Sequence, residues 1–347
     1  MEYNINDIIQ IRFADDLFPS IQDEFELWKD DTNKTKRVDI SVERGKIEDL
    51  GISIDESFSV SESSFCVRNS SSTCSISNDR IIVDGKPSHD FFEARVLQPT
   101  MNRHLVPRGW CISHCSAVSY KGNTIVFPAF GGTGKTGLML EFMNAGANYI
   151  ADDHLLLGKD GRCVFYPRHV HLLEYNFSMF PELFEVAFPD DKKRRIFEKR
   201  LELYRIGTGL RGDNMISRVL RRNLTSRYYF ECRIRPENLF SKSRIQKESK
   251  ITHTFFLLKR KNEKMIKSSN PSRLAELAAA SSWMNECAGQ HNLIAKLAGC
   301  LFHTPEDRKA ILEQCFQESE CYEVYIGEKY DRKGLDKIFT EIKAIVE

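Results

Sequence analysis

Short apolar stretches broken by Ser, Asn, Asp and Gly fill the first hundred residues, as in RVDISVERG and SFSVSESSFCVRNSSSTCSISNDRIIVDGK. This alternation predicts short antiparallel strands, with Ser70–Ser72 as a turn between two of them. From Phe91 to Leu105 the pattern becomes helical, with Phe92, Val96 and Leu97 on one face, and this stretch bridges into a second region. There CISHCSAVSY and NTIVFPAF read as two β-runs joined by Lys121 and Gly122 in a hairpin, the second running into a glycine-rich loop. KTGLMLEFMNAGA then places Leu138, Met139, Phe142 and Met143 at helical spacing, Gly146 supplies a left-handed C-terminal cap, and the strand NYIAD follows.

Pro181 to Arg222 is charged and helix-like and is expected as an insertion over one face of a sheet. THTFFLLKR predicts a buried strand. PSRLAELAAASSWMNECAG and TPEDRKAILEQCFQES predict helices, the second with Thr304 as N-cap, Pro305 at the first helical position and Asp307 in the first turn. CYEVYIG and GLDKIFTEIKAIV close the chain as a strand and a helix. These patterns give an α/β (α+β) protein: a β-rich domain over residues 1–100, then a domain over 101–347 with a mixed sheet, flanking helices and a basic helical insertion around 181–250.

With 347 residues, 41% of them apolar, the chain can fill a sizeable core. It has no run of ~18 apolar residues, and its start, MEYNINDIIQ, lacks the pattern of a secretory signal. A cytoplasmic protein with no membrane span is expected, its ten scattered cysteines reduced. The net charge of +1 conceals an asymmetry. Residues 1–100 hold 20 Asp/Glu against 11 Lys/Arg, whereas residues 192–267 hold 23 Lys/Arg against 7 Asp/Glu. Such a basic block is either a set of solvated helix faces or a surface for a nucleotide, a phosphorylated small molecule, an acidic peptide or RNA.

The strongest chemical signal is Ala129-Phe130-Gly131-Gly132-Thr133-Gly134-Lys135-Thr136, a P-loop with Ala129 at its first glycine position. Gly131, Gly132, Thr133 and Gly134 let backbone N–H groups converge on phosphate oxygens, Lys135 reaches the outer phosphates, and the Thr136 hydroxyl can ligate Mg²⁺. The expected cofactors are therefore ATP and Mg²⁺. Asp152 and Asp153 end the NYIAD strand seventeen residues after Lys135. One carboxylate can take a proton from an attacking hydroxyl while the other holds Mg²⁺. His114 lies fifteen residues before Ala129 in a strand, where a histidine is ordinarily a core or edge residue. Cys111, His114 and Cys115 have no C-x-x-C spacing and no second ligand cluster, so no zinc site is expected there.

Taken together, His114 to Val118, Gly132 to Thr136, Gly146 and Ala151-Asp152-Asp153 resemble the HPr kinase/phosphorylase family, whose catalytic domain is similar to that of phosphoenolpyruvate carboxykinases. The likeness is concentrated in residues 110–160. It implies Asp152 as the base that activates a substrate hydroxyl, His114 as the residue that orients the acidic pair, Thr136 and Asp153 as metal ligands, and self-association. Arg168 in YPRH is the first candidate for a contact to phosphate or substrate, and Glu174 a candidate for supporting the metal. The glycine-rich segment typical of enzymes acting on HPr is missing downstream, and the front of the chain differs from theirs. The β-rich front, RHLVPRGWCISHCSAV and YPRHV look more like the HPr-kinase-like proteins of peptide modification. The resemblance implies an ATP- and Mg²⁺-dependent kinase acting on a Ser or Thr hydroxyl of a protein or peptide. Two alternatives stay open: a metabolite kinase of the same fold, and a nucleotide-gated module whose basic block binds an anionic partner such as RNA.

Overall fold

The β-rich front folds into one sheet of eight strands, β1 (Glu2–Ile5), β2 (Ile9–Phe13), β3 (Ile40–Arg44), β4 (Ile52–Ser53), β5 (Phe58–Val60), β6 (Phe65–Asn69), β7 (Ser72–Ser77) and β8 (Arg80–Gly85). Their order across the sheet is β1-β2-β3-β8-β7-β6-β5-β4. Most neighbours are antiparallel and the Ser70–Ser72 turn joins β6 to β7, as the alternation predicts. Two pairings differ: β2 with β3 and β3 with β8 are parallel. The reason for the first is the connection, since the segment between β2 and β3 is long enough for a crossover and carries the helix Pro19–Phe25. That helix buries Phe25 against Tyr3 and Phe13 in edge-on aromatic contacts.

This computed structural model describes all residues except 15–16, 31–36, 49, 55, 62–63, 210–214, 228–230, 261–264, 288–304 and 328–330. The expected cap Thr304, Cys300 and parts of the basic block lie outside the described residues.

A continuous helix runs from His89 to Leu105 and buries Phe92, Val96 and Leu97, as their spacing predicts. Its central stretch, Glu93–Leu97, is wound as a π-helix, with the Gln98 N–H donating to the Glu93 carbonyl. Pro99 accounts for this widening, because a proline has no N–H for the carbonyl four residues back and its ring crowds that carbonyl.

The second region contains a six-stranded mixed sheet, with β19 (Met265–Ser268) at its edge, and a four-stranded antiparallel one that includes β14 (Arg162–Phe165) and β17 (Glu248–Lys250). In the first, β10 (Cys115–Tyr120) and β11 (Asn123–Pro128) form the expected hairpin, with Lys121 and Gly122 both at positive φ. Parallel to β11 lies β18 (His253–Lys259), and parallel to that β20 (Glu320–Ile326). On the other side β12 (Asn148–Ala151) pairs with β10. The helix Lys135–Asn144 packs on β10 and buries Leu138, Met139, Phe142 and Met143. It ends at Gly146, whose positive φ is the expected left-handed turn.

The run CISHCSAVSY is not a single strand. It breaks at His114 into β9 (Trp110–Ser113), which joins β13 (Leu155–Gly158) in the four-stranded sheet, and β10, which stays in the six-stranded one. The chain does the same between β12 and β13, where Asp152, Asp153 and His154 form the corner and Asp153 takes a positive φ of 69°. The two corners are where the strands change sheets, and they put His114 opposite Asp153. The fold is thus α/β, with a mixed sheet flanked by helices.

In the basic region the helices Asp191–Gly209 and Met215–Arg227 pack against each other. Pro271–Cys287, Pro305–Phe316 and Arg332–Val346 are helical, in line with the sequence. Among the described residues no helix is long and apolar enough to cross a membrane. Cys66, Cys74, Cys111, Cys115, Cys163, Cys232, Cys315 and Cys321 are free thiols.

Candidate active site

The P-loop leaves the central strand β11 and turns into the helix Lys135–Asn144, so its peptide N–H groups gather at a helix N-terminus. Gly132 and Gly134 have φ of 71° and 94°, conformations that a side chain would strain. Ala129 needs no such freedom. It continues the β11 line, with its N–H on the His114 carbonyl oxygen at 3.3 Å and a bridge to Leu257 of β18, so a Cβ is accommodated at the first P-loop position.

Lys135 is buried and points at His114, with Nζ 3.0 Å from Nε2. The same Nε2 lies 2.9 Å from Asp153 Oδ1, and Nδ1 lies 3.3 Å from Ser281 Oγ. A neutral imidazole nitrogen donates to Asp153 or accepts from Lys135, not both, so the proton on Nε2 follows the charge in the site. Burial, then the Lys135 charge, lowers the His114 pKa to about 4, which keeps the ring neutral. Burial also lowers the Lys135 ammonium, with both aspartates working against it.

The two neighbouring aspartates differ sharply. Asp152 is fully buried and accepts from the Thr136 hydroxyl at 3.0 and 3.3 Å and from the His171 N–H at 3.4 Å. Burial and the adjacent Asp153 charge raise its pKa to about 6. Asp153 lies on the cavity wall among nitrogen groups: Arg168 Nη1 is 3.1 Å from Oδ2, His154 Nδ1 3.4 Å from the same oxygen, and His114 Nε2 on the other. Burial opposes its charge, but Arg168, His154 and His114 outweigh it and hold the carboxyl well below the usual range. One member of the pair is a fixed anion and the other titrates close to neutrality.

These groups border a cavity of about 350 Å³, with Gly131 to Thr136 on one side. Of the residues proposed from sequence, His114, Lys135, Thr136, Asp153 and Arg168 border it, and Asp152 stands directly behind Thr136. Of the two residues expected to serve the metal, Thr136 donates its hydroxyl to Asp152, and Asp153 faces His114 and Arg168. Arg168 is a buried hub between Asp153 and Glu93, 3.6 Å from the latter, so its guanidinium is partly spent on protein carboxylates. Glu174 is placed elsewhere. Its carboxylate takes hydrogen bonds from Arg205 Nε at 2.8 Å and Ser178 Oγ at 3.2 Å, and it does not border the cavity. At the first position of its helix, Glu174 turns to Arg205 of the basic helix Asp191–Gly209, away from the P-loop residues it was expected to support.

The opposite wall was not anticipated. Glu93 and Asp90 come from the helix starting at His89, His171 from β15 (Val170–Leu173), and Glu231 and Arg233 from its antiparallel partner β16 (Glu231–Ile234). Glu231 is held low, to about 2, first by a hydrogen bond from His171 and also by Arg233. One sequence signal was present: Glu93 follows Phe92 and sits one helical turn before Leu97, an acid on the apolar face. The β15–β16 pair joins residues about sixty positions apart, and nothing in the local pattern announces it.

No protein-family model and no curated protein matches the sequence. Among solved structures, the Hpr(Ser) kinase/phosphatase from Coxiella burnetii overlays 46% of this chain and 76% of its own, at 8% identity and a TM-score of 0.25. A superposition that loose carries no weight for function, which rests on the site's own geometry.

Proposed function

We propose that this chain is an ATP- and Mg²⁺-dependent phosphotransferase that phosphorylates a hydroxyl group, that of a Ser or Thr in a protein or peptide. The observation that carries the reading is the meeting of the P-loop with the paired aspartates: Thr136 Oγ1 within 3.0 Å of Asp152, and Lys135 and Asp153 both on His114. The N–H groups of Gly131 to Gly134 and the Lys135 ammonium bind the phosphates. The Thr136 hydroxyl and the aspartate oxygens suit Mg²⁺, a hard cation that prefers oxygen donors and keeps several waters. When bound, Mg²⁺ neutralises charge on the phosphate oxygens.

Asp152 is the proton acceptor. Its pKa of about 6 lies near working pH, and the Thr136 hydroxyl marks where a hydroxyl donates to it. As the acceptor oxygen bonds to the γ-phosphorus, its proton passes to Asp152 and the bond to the ADP oxygen breaks. Asp153 stays ionised, oriented by Arg168, His154 and His114. His114 positions the pair and shields the Lys135 charge. Catalysis of this kind is mainly placement and charge neutralisation.

A second reading, transfer to a small polar metabolite, is favoured by the far wall, where Asp90, Glu231, Arg233 and His171 offer both signs of charge within one cavity. The test is acceptor-dependent conversion of ATP to ADP with peptide and metabolite pools supplied separately. Turnover that needs peptide and is lost in Asp152→Asn supports the first reading. Turnover that needs only metabolites supports the second, and ATP binding with no turnover on either pool refutes both.

A further inference from the structure

Outside the P-loop corner, three potential ligands converge beneath the helix that begins at His89. His89 Nε2 lies 3.2 Å from Glu24 Oε2 and 3.5 Å from Glu93 Oε2. Both carboxylates are almost wholly buried, at 1% and 3% side-chain exposure. Despite the short separations, Glu24 Oε2 and His89 Nε2 are buried with no hydrogen-bond partner, so the ring N–H is not aligned on either acid. Buried polar atoms are rarely left in this state, and each needs a physical reason.

We propose that Glu24, His89 and Glu93 form a binding site for a divalent transition-metal ion, with Zn²⁺ as the ion that best suits the donor set. Nitrogen and oxygen ligands bind Zn²⁺ at roughly 2.0–2.2 Å, and tetrahedral angles then hold donor atoms about 3.3–3.5 Å apart. The separations from His89 to its two neighbours, 3.2 and 3.5 Å, are close to that spacing, and all three donor atoms lie within 4.8 Å of one another. Imidazole with two carboxylates is a set that Zn²⁺ accepts, and three protein ligands leave a position for water or substrate.

The atoms that do not converge are each held from outside. His89 Nδ1 is 3.0 Å from Ser20 Oγ, Glu24 Oε1 accepts from the His169 N–H at 3.3 Å, and Glu93 Oε1 accepts from Gln98 Nε2 at 3.2 Å. Such outer contacts are what fix ligand orientation in metal sites. The spacing along the chain also fits, because His89 and Glu93 are one helical turn apart and present donors on the same side. Glu24 comes from the helix Pro19–Phe25 inside the β-rich front, and Glu93 borders the phosphate cavity. An ion here would fasten the first sheet to the cavity wall and fix the carboxylate that faces Arg168.

The rival occupant is a proton, since against the opposing effect of burial Glu24 and Glu93 raise the His89 pKa, and a metal titration separates the two. The full chain is stripped with a chelator and titrated with Zn²⁺, with bound metal counted by elemental analysis. The expected result is one Zn²⁺ per chain in the wild type and at least tenfold weaker binding in Glu24→Gln and in His89→Gln. Asp152→Asn should bind as the wild type does, which separates this site from the aspartate pair. If His89→Gln does not fold, Ser20→Ala reads the same site through an exposed hydroxyl, with binding about tenfold weaker. Failure of the wild type to retain Zn²⁺, wild-type affinity in these variants, or loss of binding in Asp152→Asn would overturn the proposal.

Discussion

One wall of the cavity comes from a single stretch of chain, His114 to Asp153, while the other gathers Glu93, Arg168, His171 and Arg233 from separate segments. The first wall is made of backbone turns and lightly paired groups. Gly132 and Gly134 hold left-handed turns, the Lys135 ammonium rests against the neutral His114 ring, and Asp152 titrates close to neutrality. The second is a network of close polar pairings, in which Arg168 lies between two acids and Glu231 between His171 and Arg233. The contrast separates chemistry from shape: Lys135 and Asp152, which must respond to a substrate, are held by neutral partners, and groups that hold the cavity open are paired with opposite charges.

The largest break in this contrast should come from Lys135→Met. Phosphoryl transfer is expected to fall about 1000-fold while the fold survives, because the ammonium stabilises transferring phosphate rather than the protein. Kinetics with excess ATP and a thermal melt on the same sample check both halves.

Arg168→Met should do the reverse. It leaves Asp153 and Glu93 as buried acids without their shared cation, and breaking such a pair costs on the order of 3–5 kcal/mol. Urea unfolding at neutral pH measures the loss. If stability stayed within 1 kcal/mol (the scale of an exposed pair), the far wall would not be the network described.

Asp152→Asn sharpens the comparison through pH. The folded pKa of Asp152, about 6, lies above the ordinary 3.8, so the folded chain holds this proton more tightly than the unfolded one. The resulting stability is full below the ordinary value and is lost as pH rises through about 6. In metal-free protein, Asp152→Asn is therefore expected to be more stable than wild type by roughly 1–3 kcal/mol above that pH and to match it under acid conditions. Chemical denaturation across the range reads the crossover, and wild-type transfer should fade as pH drops below it.

The smallest effect belongs to Arg233→Ala. Arg233 is a half-buried side chain on the acceptor side of the cavity, paired with Glu231 at 3.0 Å. Acceptor KM should rise several-fold, with kcat and the melting temperature little changed, a split that steady-state kinetics resolves.

The first wall was legible in the sequence for the same reason that it is local. A β-run, a glycine loop, an amphipathic helix and a second β-run carry their own signals, and the spacing from His114 to Asp153 kept them together. What the pattern did not disclose is the break at His114, where one apolar run serves two sheets, because both halves alternate identically and only tertiary pairing divides them. The parallel β2–β3–β8 core of the front sheet was missed for a related reason: strand direction is set by the connections rather than by the alternation. Arg168 was found from its place shortly after the aspartates, yet its partner Glu93 was not, since the two are brought together by packing. Glu174 was chosen by the same proximity and faces Arg205 instead.

The most direct measurement of the central claim is mass spectrometry of phosphorylated products after incubation with ATP and Mg²⁺ and a peptide pool, wild type against Asp152→Asn. A phosphopeptide formed by the wild type and absent with the variant is the expected result. Equal phosphorylation by both would contradict the assignment of Asp152, and no phosphorylated product from a wild type that binds ATP would contradict the phosphotransferase itself.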